Sequence, residues 1–400
     1  MKNRFKNLLN YSLNCIQRYK VRTLVVLVCL IVASALFSSV AFMEDGLKKD
    51  GELSLKYSAD LTLQGIEAGR QTYVNTSYIR TIQSIGGVRE VAQRIWGYGN
   101  IGNTLIVIVG VDLNTTKVNP GAAYPLEAGS FLDAQKNNTV VIGRAVADLL
   151  GAKVGETLSI LSESNQMYQY AIVGIFNSES SIYSADMILM NLNDARTFFR
   201  VPDGKATDII VYLTPIDPSS YTSYVNFYAR ELSEYPNVRV LTKDILLNAQ
   251  ETTFGARSGF FSVVWYVILI AVALIAFNQT VVVGHESKFE VGLLKALGFS
   301  TTDVIQVRLL ESAILGTIAG SIGLAAGIIY DVVFNAPVLR DFMMGWATLY
   351  PSFSLPVYIS AQTVLLTYAI TIVPLLFATV IPSWLNATVD PDIAMRGAQA

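Results

Sequence analysis

The sequence predicts a two-part protein. One part is an α-helical membrane domain with four transmembrane helices; the other is an α/β extracytoplasmic domain with a ferredoxin-like β-α-β core and a β-rich insertion. Three observations carry this. Of 400 residues, 52% are hydrophobic and only 15% charged, whereas a soluble domain is about a quarter charged. Four apolar stretches, 23–43, 259–283, 309–334 and 363–382, approach or exceed the roughly 20 residues a helix needs to cross a bilayer. Between the first two lies a long region, 44–258, whose apolar residues follow strand and short-helix patterns.

The membrane elements follow in order. Residues 1–22 hold Lys2, Arg4, Lys6, Arg18, Lys20 and Arg22 and no acid, so the positive-inside rule keeps this end in the cytoplasm. Phe5, Leu8, Leu9, Leu13 and Ile16 recur near helical spacing among those charges, the pattern of an amphipathic helix on the inner membrane surface. The first apolar stretch exceeds the roughly 7–15 residues of a cleavable signal core and reads as an uncleaved anchor. Four crossings then place 44–258 outside, the loop 284–308 inside, 335–362 outside and the tail 383–400 inside. The third stretch carries Gly316, Gly320, Gly323 and Gly327 on one helical face, where small residues let helices approach closely in lipid. Glu311 and Asp331 mark its two ends, each within reach of an interface, and Glu44-Asp45 reads as a solvated helix end.

In the outer region, 59–64 alternates like a strand, 78–85 is helical up to Gly86-Gly87, and 88–96 and 104–111 are strands. The order returns later, with a strand at 208–213, a helix at 219–234 and a strand at 238–241. Two β-α-β units split by an insertion make a ferredoxin-like core. The insertion, 113–200, reads as a small β subdomain projecting from that core. From Lys243 to Arg257 the pattern turns helical and runs toward the second apolar stretch, as a stalk would.

Much chemistry is excluded. A net charge of −2 supplies no field for nucleic acid. His285 is the only histidine, too few for a histidine metal site or a serine-protease triad outside the membrane, and Cys15 and Cys29 both lie before the outer region. No G-x-x-x-x-G-K-[ST] string is present to cradle ATP phosphates, and no G-x-S-x-G elbow. The expected catalytic, cofactor and metal residues are therefore none, and the sparse polar groups in the spans argue against a polar channel.

The segment 281–327, VVVGHESKFEVGLLKALGFSTTDVIQVRLLESAILGTIAGSIGLAAG, resembles the FtsX/MacB-like permeases, the type VII or mechanotransmission ABC transporters of MacB/LolC/LolE type. Glu286, Glu290-Val291-Gly292, Lys295, Ala296, Gly298 and Glu311 occupy positions of that family's pattern; Ser287 stands where arginine is common. The tail DPDIAMRG at 390–397 and the insertion segment VVIGRAVADLLGAKVGETLSI are similar to the family as well. The resemblance implies that Glu286, Glu290, Val291, Gly292, Lys295 and Gly298 shape a coupling helix that docks in a cytosolic ABC ATPase subunit, which binds the ATP. Phe289, Leu293 and Leu297 would give that helix one apolar stripe, and its acids stand near the start, where the helix dipole favours them. It further implies a second permease copy or paralogue, contact with membrane lipid, a membrane-fusion adaptor or lipoprotein acceptor in some members, and work on a lipoprotein, lipid, peptide or hydrophobic compound. An FtsX-type regulator of cell-wall hydrolases, a membrane-anchored sensor without ATPase, and a membrane enzyme are the rival readings.

Overall fold

The computed structural model describes residues 2–18, 20–56, 58–113, 124–177, 186–249, 298–344 and 355–388, with scattered positions between 252 and 295. The chain divides into two units: Met1–Gly46 with Gly255–Met343 and Val357–Ala400, and Leu47–Phe254 with Met344–Pro356.

Helix α1 (Lys2–Arg18) buries Leu8 and Ser12, one turn apart. Helix α2 (Lys20–Lys56) has 37 residues. At about 1.5 Å per residue it rises about 55 Å, well beyond the ~30 Å apolar core of a bilayer. It therefore continues past the first apolar stretch through Glu44, Asp45, Lys48, Lys49 and Asp50 without a break.

The second unit is α/β. Strand β1 (Leu61–Glu67) turns through Ala68 and Gly69, both at positive φ, into β2 (Arg70–Thr72) and then β3 (Val74–Asn75). Helix α3 (Tyr78–Gln83) and the 14-residue β4 (Val88–Ile101) follow. Strands β5 (Thr104–Val111), β6 (Leu126–Gly129) and β7 (Thr139–Gly143) lead to α4 (Arg144–Leu150), β8 (Thr157–Leu161), β9 (Met167–Phe176), β10 (Met187–Asn191) and α5 (Leu192–Phe199). The unit ends with β11 (Lys205–Ala206), β12 (Asp208–Leu213), α6 (Pro218–Leu232), β13 (Val238–Thr242) and a helical segment at 243–249.

One sheet runs β13-β1-β12-β4-β5-β10-β7-β9-β6. The β13-β1-β12-β4 part is antiparallel throughout. Its α3/α6 face buries Leu61, Leu63, Ile82, Val91, Ile209, Val211, Val225 and Leu232. The insertion, with Ile106 and Ile108 of β5, buries a second core around Ile142, Ile172, Ile188 and Phe198. It differs from the projecting β subdomain expected from sequence in two ways. It contains a second helix, α5, beyond the short one expected within 139–160 and seen as α4, and it continues the same sheet. The length of β4 explains this: residues 88–94 pair with β12, while 95–101 pair with β5.

A line of polar side chains crosses the first four strands in register. Arg239 on β13 is opposite Gln64 on β1, Gln64 is opposite Asp208 on β12, and Asp208 is opposite Arg94 on β4. Arg239 donates to Gln64 (2.7 Å), Gln64 to Asp208 (3.2 Å) and Arg94 to Asp208 (2.7 Å). Because side chains alternate faces along a strand, a one-residue slip would break every link, so the ladder specifies register.

The remaining helices belong to the first unit: α7 (Thr301–Val332), α8 (Pro337–Met344) and α9 (Ala361–Ala387), the last with Pro374 and Pro382 inside it. Among the described residues three helices are long and apolar enough to cross a membrane, within α2, α7 and α9. The expected second span, 259–283, lies outside the described residues except for scattered helical positions such as Leu269 and Ala273. These two line a small cavity with Leu30, Ser34, Thr371 and Pro374. Helix α7 begins eight residues before the apolar stretch expected at 309–334, because Ser300 and Asp303 form a capping box that starts it at Thr301.

Candidate functional site

The candidate site follows α7 from end to end. Of the residues expected to couple to an ATPase, Glu286, Glu290, Val291 and Gly292 lie outside the described residues. Lys295 is helical and Gly298 forms the corner after it. The Gly298 N–H donates to the Lys295 carbonyl (3.0 Å) with φ at 94°, a conformation glycine adopts without the Cβ penalty. Two residues on, Ser300 N donates to the Asp303 carboxylate (2.9 Å) and Asp303 N to the Ser300 hydroxyl (3.3 Å). Glycine thus turns the chain and the serine starts the next helix.

The first turns of α7 rest on α1. Ser12 Oγ donates to the Val307 carbonyl (3.1 Å). Arg308 and Glu311 pair at 2.9 Å, both largely buried. Cys15 on α1 faces this pair, and burial together with the Glu311 charge pushes its thiol up to about 12. The thiol therefore stays protonated at neutral pH and can donate to Glu311. Helix α1, expected as an amphipathic helix on the inner membrane surface, also packs on α7, because Leu8, Ser12 and Cys15 share one face.

Farther along α7 the four glycines meet two partners. A Cβ on Gly316 or Gly320 would press on Ile372 or Tyr368 of α9, each at 3.0 Å. A Cβ on Gly323 or Gly327 would collide with the Ser34 or Ser38 hydroxyl of α2 and stand 3.0 Å from a backbone carbonyl, of Ile31 or Ala35. One small face thus serves two crossings. Ser34 Oγ donates to the Ala319 carbonyl (3.2 Å), and Ser312 Oγ to Thr379 Oγ1 (3.2 Å).

At the far end of α7, Asp331 accepts a hydrogen bond from Ser39 of α2. Asp331, at the outer end of the expected span, is 4% exposed. Asp45 is not a solvated helix end. Its Oδ2 accepts from Ser360 Oγ (2.7 Å) and Thr363 Oγ1 (2.5 Å) at the start of α9. Sequence patterning missed both because serine and threonine hydroxyls are silent partners until the helices are placed. Among the described residues, no group of three His, Cys, Asp or Glu side chains converges to hold a metal.

The domain order and this helical unit can be set against known proteins. The MacB-like periplasmic core domain matches residues 23–222, and the FtsX-like permease C-terminal domain matches 262–391. The chain belongs to the MacB/FtsX-like permease family. Curated relatives agree. An uncharacterized ABC transporter permease of Methanocaldococcus jannaschii is 24% identical over 64% of this chain and 65% of its own. The lipoprotein-releasing system transmembrane protein LolC is similar in Neisseria meningitidis, at 23% over 54% of this chain and 52% of that one. The LolC of Xylella fastidiosa is 20% identical over 72% of this chain and 70% of its own. The matched region thus spans about half to two thirds of the first two relatives. The periplasmic region of MacB from Actinobacillus actinomycetemcomitans covers 49% of this chain and 95% of its own at 12% identity and a TM-score of 0.35. At that score the family rests on the two domain matches. Within a MacB/FtsX-like permease, the Gly298–Ser300 corner and helix α7 fall in the FtsX-like match, and Gln64, Arg94 and Asp208 of the ladder fall in the MacB-like match.

Proposed function

We propose that this protein is the permease subunit of an ABC transporter that couples ATP hydrolysis by a separate cytosolic ATPase to movements of its α/β domain. One observation carries the reading: the two domain matches tile the chain in the order of an anchor helix, a MacB-like domain and an FtsX-like helical half. The coupling helix spans Glu286 to Leu297, with Glu286, Glu290, Val291, Gly292 and Lys295 shaping its docking face and Gly298 ending it. Four spans place both termini in the cytoplasm of a prokaryote and the α/β domain outside the inner membrane. The β13-β1-β12-β4 strands with α3 and α6 form the ferredoxin-like core of that domain. The chain itself hydrolyses no ATP, in keeping with the lack of a phosphate-loop string.

Two permease chains, identical or paralogous, work with two ATPase subunits. The cargo is a lipoprotein, lipid, peptide or hydrophobic compound that is extracted or exported, with a membrane-fusion adaptor or a lipoprotein acceptor as further partner. The similarity to proteins named for lipoprotein release supports the cargo class. Affinity purification of the tagged chain from its native membranes tests the core of this reading. An ABC ATPase should copurify and hydrolyse ATP, while the chain alone should not. Cysteines placed at Asn137 and Lys288 should label from opposite sides of the membrane; labelling from one side removes the topology on which coupling depends.

A further inference from the structure

The buried carboxyl of Asp331 is only half satisfied. Its Oδ1 accepts from Ser39 Oγ, while its Oδ2, also buried, has no hydrogen-bond partner among the described residues. An unsatisfied buried oxygen in a native structure calls for an explanation. The surroundings supply one. Asp331 lies one turn beyond Gly327, where α7 and α2 are so close that Ser38 fills the space a Cβ would need. Ser38 is fully buried, and its hydroxyl is committed to the Ala35 carbonyl of its own helix (3.1 Å). At this end, then, α2 and α7 meet across small residues, and Ser39 to Asp331 is a side-chain bond that joins them. Small-residue contacts separate without dragging large side chains past one another. Parting the two helices would let water reach both carboxylate oxygens, including the one with no partner among the described residues.

We infer that Ser39 and Asp331 form a latch that holds the first and third spans together in the state seen, and that the ATP-driven cycle opens it. The ATP-driven part rests on the proposed function; the latch itself does not.

The test uses the full chain in lipid nanodiscs, with Cys15→Ser and Cys29→Ser to clear the background and Ser38→Cys as the reporter. The probe is a membrane-impermeant methanethiosulfonate. Labelling of the reporter should be slow in the isolated chain. It should quicken about threefold to tenfold, the effect expected of one interhelical hydrogen bond, on adding Asp331→Leu or Ser39→Ala. Asp331→Asn, which keeps an acceptor for Ser39, should leave the rate unchanged. Ser39→Ala removes only one oxygen atom, so it carries the test should Asp331→Leu fail to fold. With the latch intact, adding the ATPase and ATP should quicken labelling by a similar factor. Unchanged labelling in both Asp331→Leu and Ser39→Ala overturns the latch. Faster labelling in those variants with none from ATP upholds the latch and overturns its opening by ATP, whereas failure of the ATPase to copurify overturns the proposed function and leaves the latch standing.

Discussion

Asp208 and Asp331 are both buried carboxylates, one in each unit, and the two units treat them differently. Asp208 is fully buried, and both of its oxygens are used. Oδ2 accepts from Arg94 and from Trp96 Nε1, each at 2.7 Å, and Oδ1 accepts from Gln64. Asp331 has one hydroxyl partner, and its second oxygen has none among the described residues. The sheet uses its buried charge to fix strand register. The helical unit leaves its buried charge ready to change partners. Under the proposed coupling of ATP hydrolysis to movements of the α/β domain, the part that is moved should be rigid and the helix contacts should be separable.

The comparison breaks first at the aspartates themselves. Asp208→Ala removes the shared acceptor of Arg94, Trp96 and Gln64; with Arg94 partly exposed, the loss should fall somewhat below the ~3–5 kcal/mol of a fully buried pair. Thermal unfolding of the full chain in detergent, followed by near-ultraviolet circular dichroism, should show a large drop in Tm. Asp331→Asn should shift Tm far less, within the ~1 kcal/mol of a single exchanged hydrogen bond. Equal losses at both sites would erase the distinction.

Asp186, in the α/β unit, sharpens the same point. Burial pushes its carboxyl up to about 6, against about 3.9 when unfolded. The folded state therefore holds this proton more tightly, so the contribution is fully present below about pH 4 and is lost as pH rises through about 6. Asp186→Asn should stabilise the chain at pH 7 by on the order of 2 kcal/mol, and the gain should vanish near pH 4. Denaturant titrations of both chains at the two pH values check this. A gain that grows on acidification would contradict the assigned cause.

Between the two glycines tested, the smaller effect is expected at Gly298. Its Cβ position is open, so Gly298→Ala meets no neighbour and only the positive φ opposes it. That strain is about 1–2 kcal/mol. Gly327→Ala must also displace the Ser38 hydroxyl and approach the Ala35 carbonyl. In the full chain, Gly327→Ala should lower Tm more than Gly298→Ala does; the reverse order would mean that the α2–α7 contact is looser than described.

Strand and helix patterns were legible wherever period alone decides. Residues 104–111 and 208–213 are strands over the expected ranges, and α6 spans Pro218–Leu232 against an expected 219–234. The glycine face of α7 was legible from spacing as well, but its division between α9 and α2 was not, since one sequence face does not say how many helices cross it. The start of α7 was missed because hydropathy ignores caps, although Ser300 and Asp303 stand at the capping-box spacing. The continuity of the insertion with the core sheet depends on the length of β4. Its alternation weakens around Gly97 and Gly99, which hid its second half. Asp45 was read as a solvated helix end and Asp331 as within reach of an interface; both are bonded by hydroxyls from distant segments, Ser360 and Ser39.

The coupling claim is tested most directly at residues 290 and 292. Glu290→Lys reverses a charge near the start of the docking helix, and Gly292→Trp adds bulk at the expected contact. A charge reversed at a helix end costs the fold only about 0.3–1 kcal/mol, whereas a lost interface anchor can cost 2 kcal/mol or more in binding, roughly thirtyfold in affinity. The dissociation constant between purified chain and ATPase should rise by at least about tenfold in each variant, with Tm nearly unchanged. Wild-type affinity in both, together with ATP turnover that still drives transport, would contradict the account.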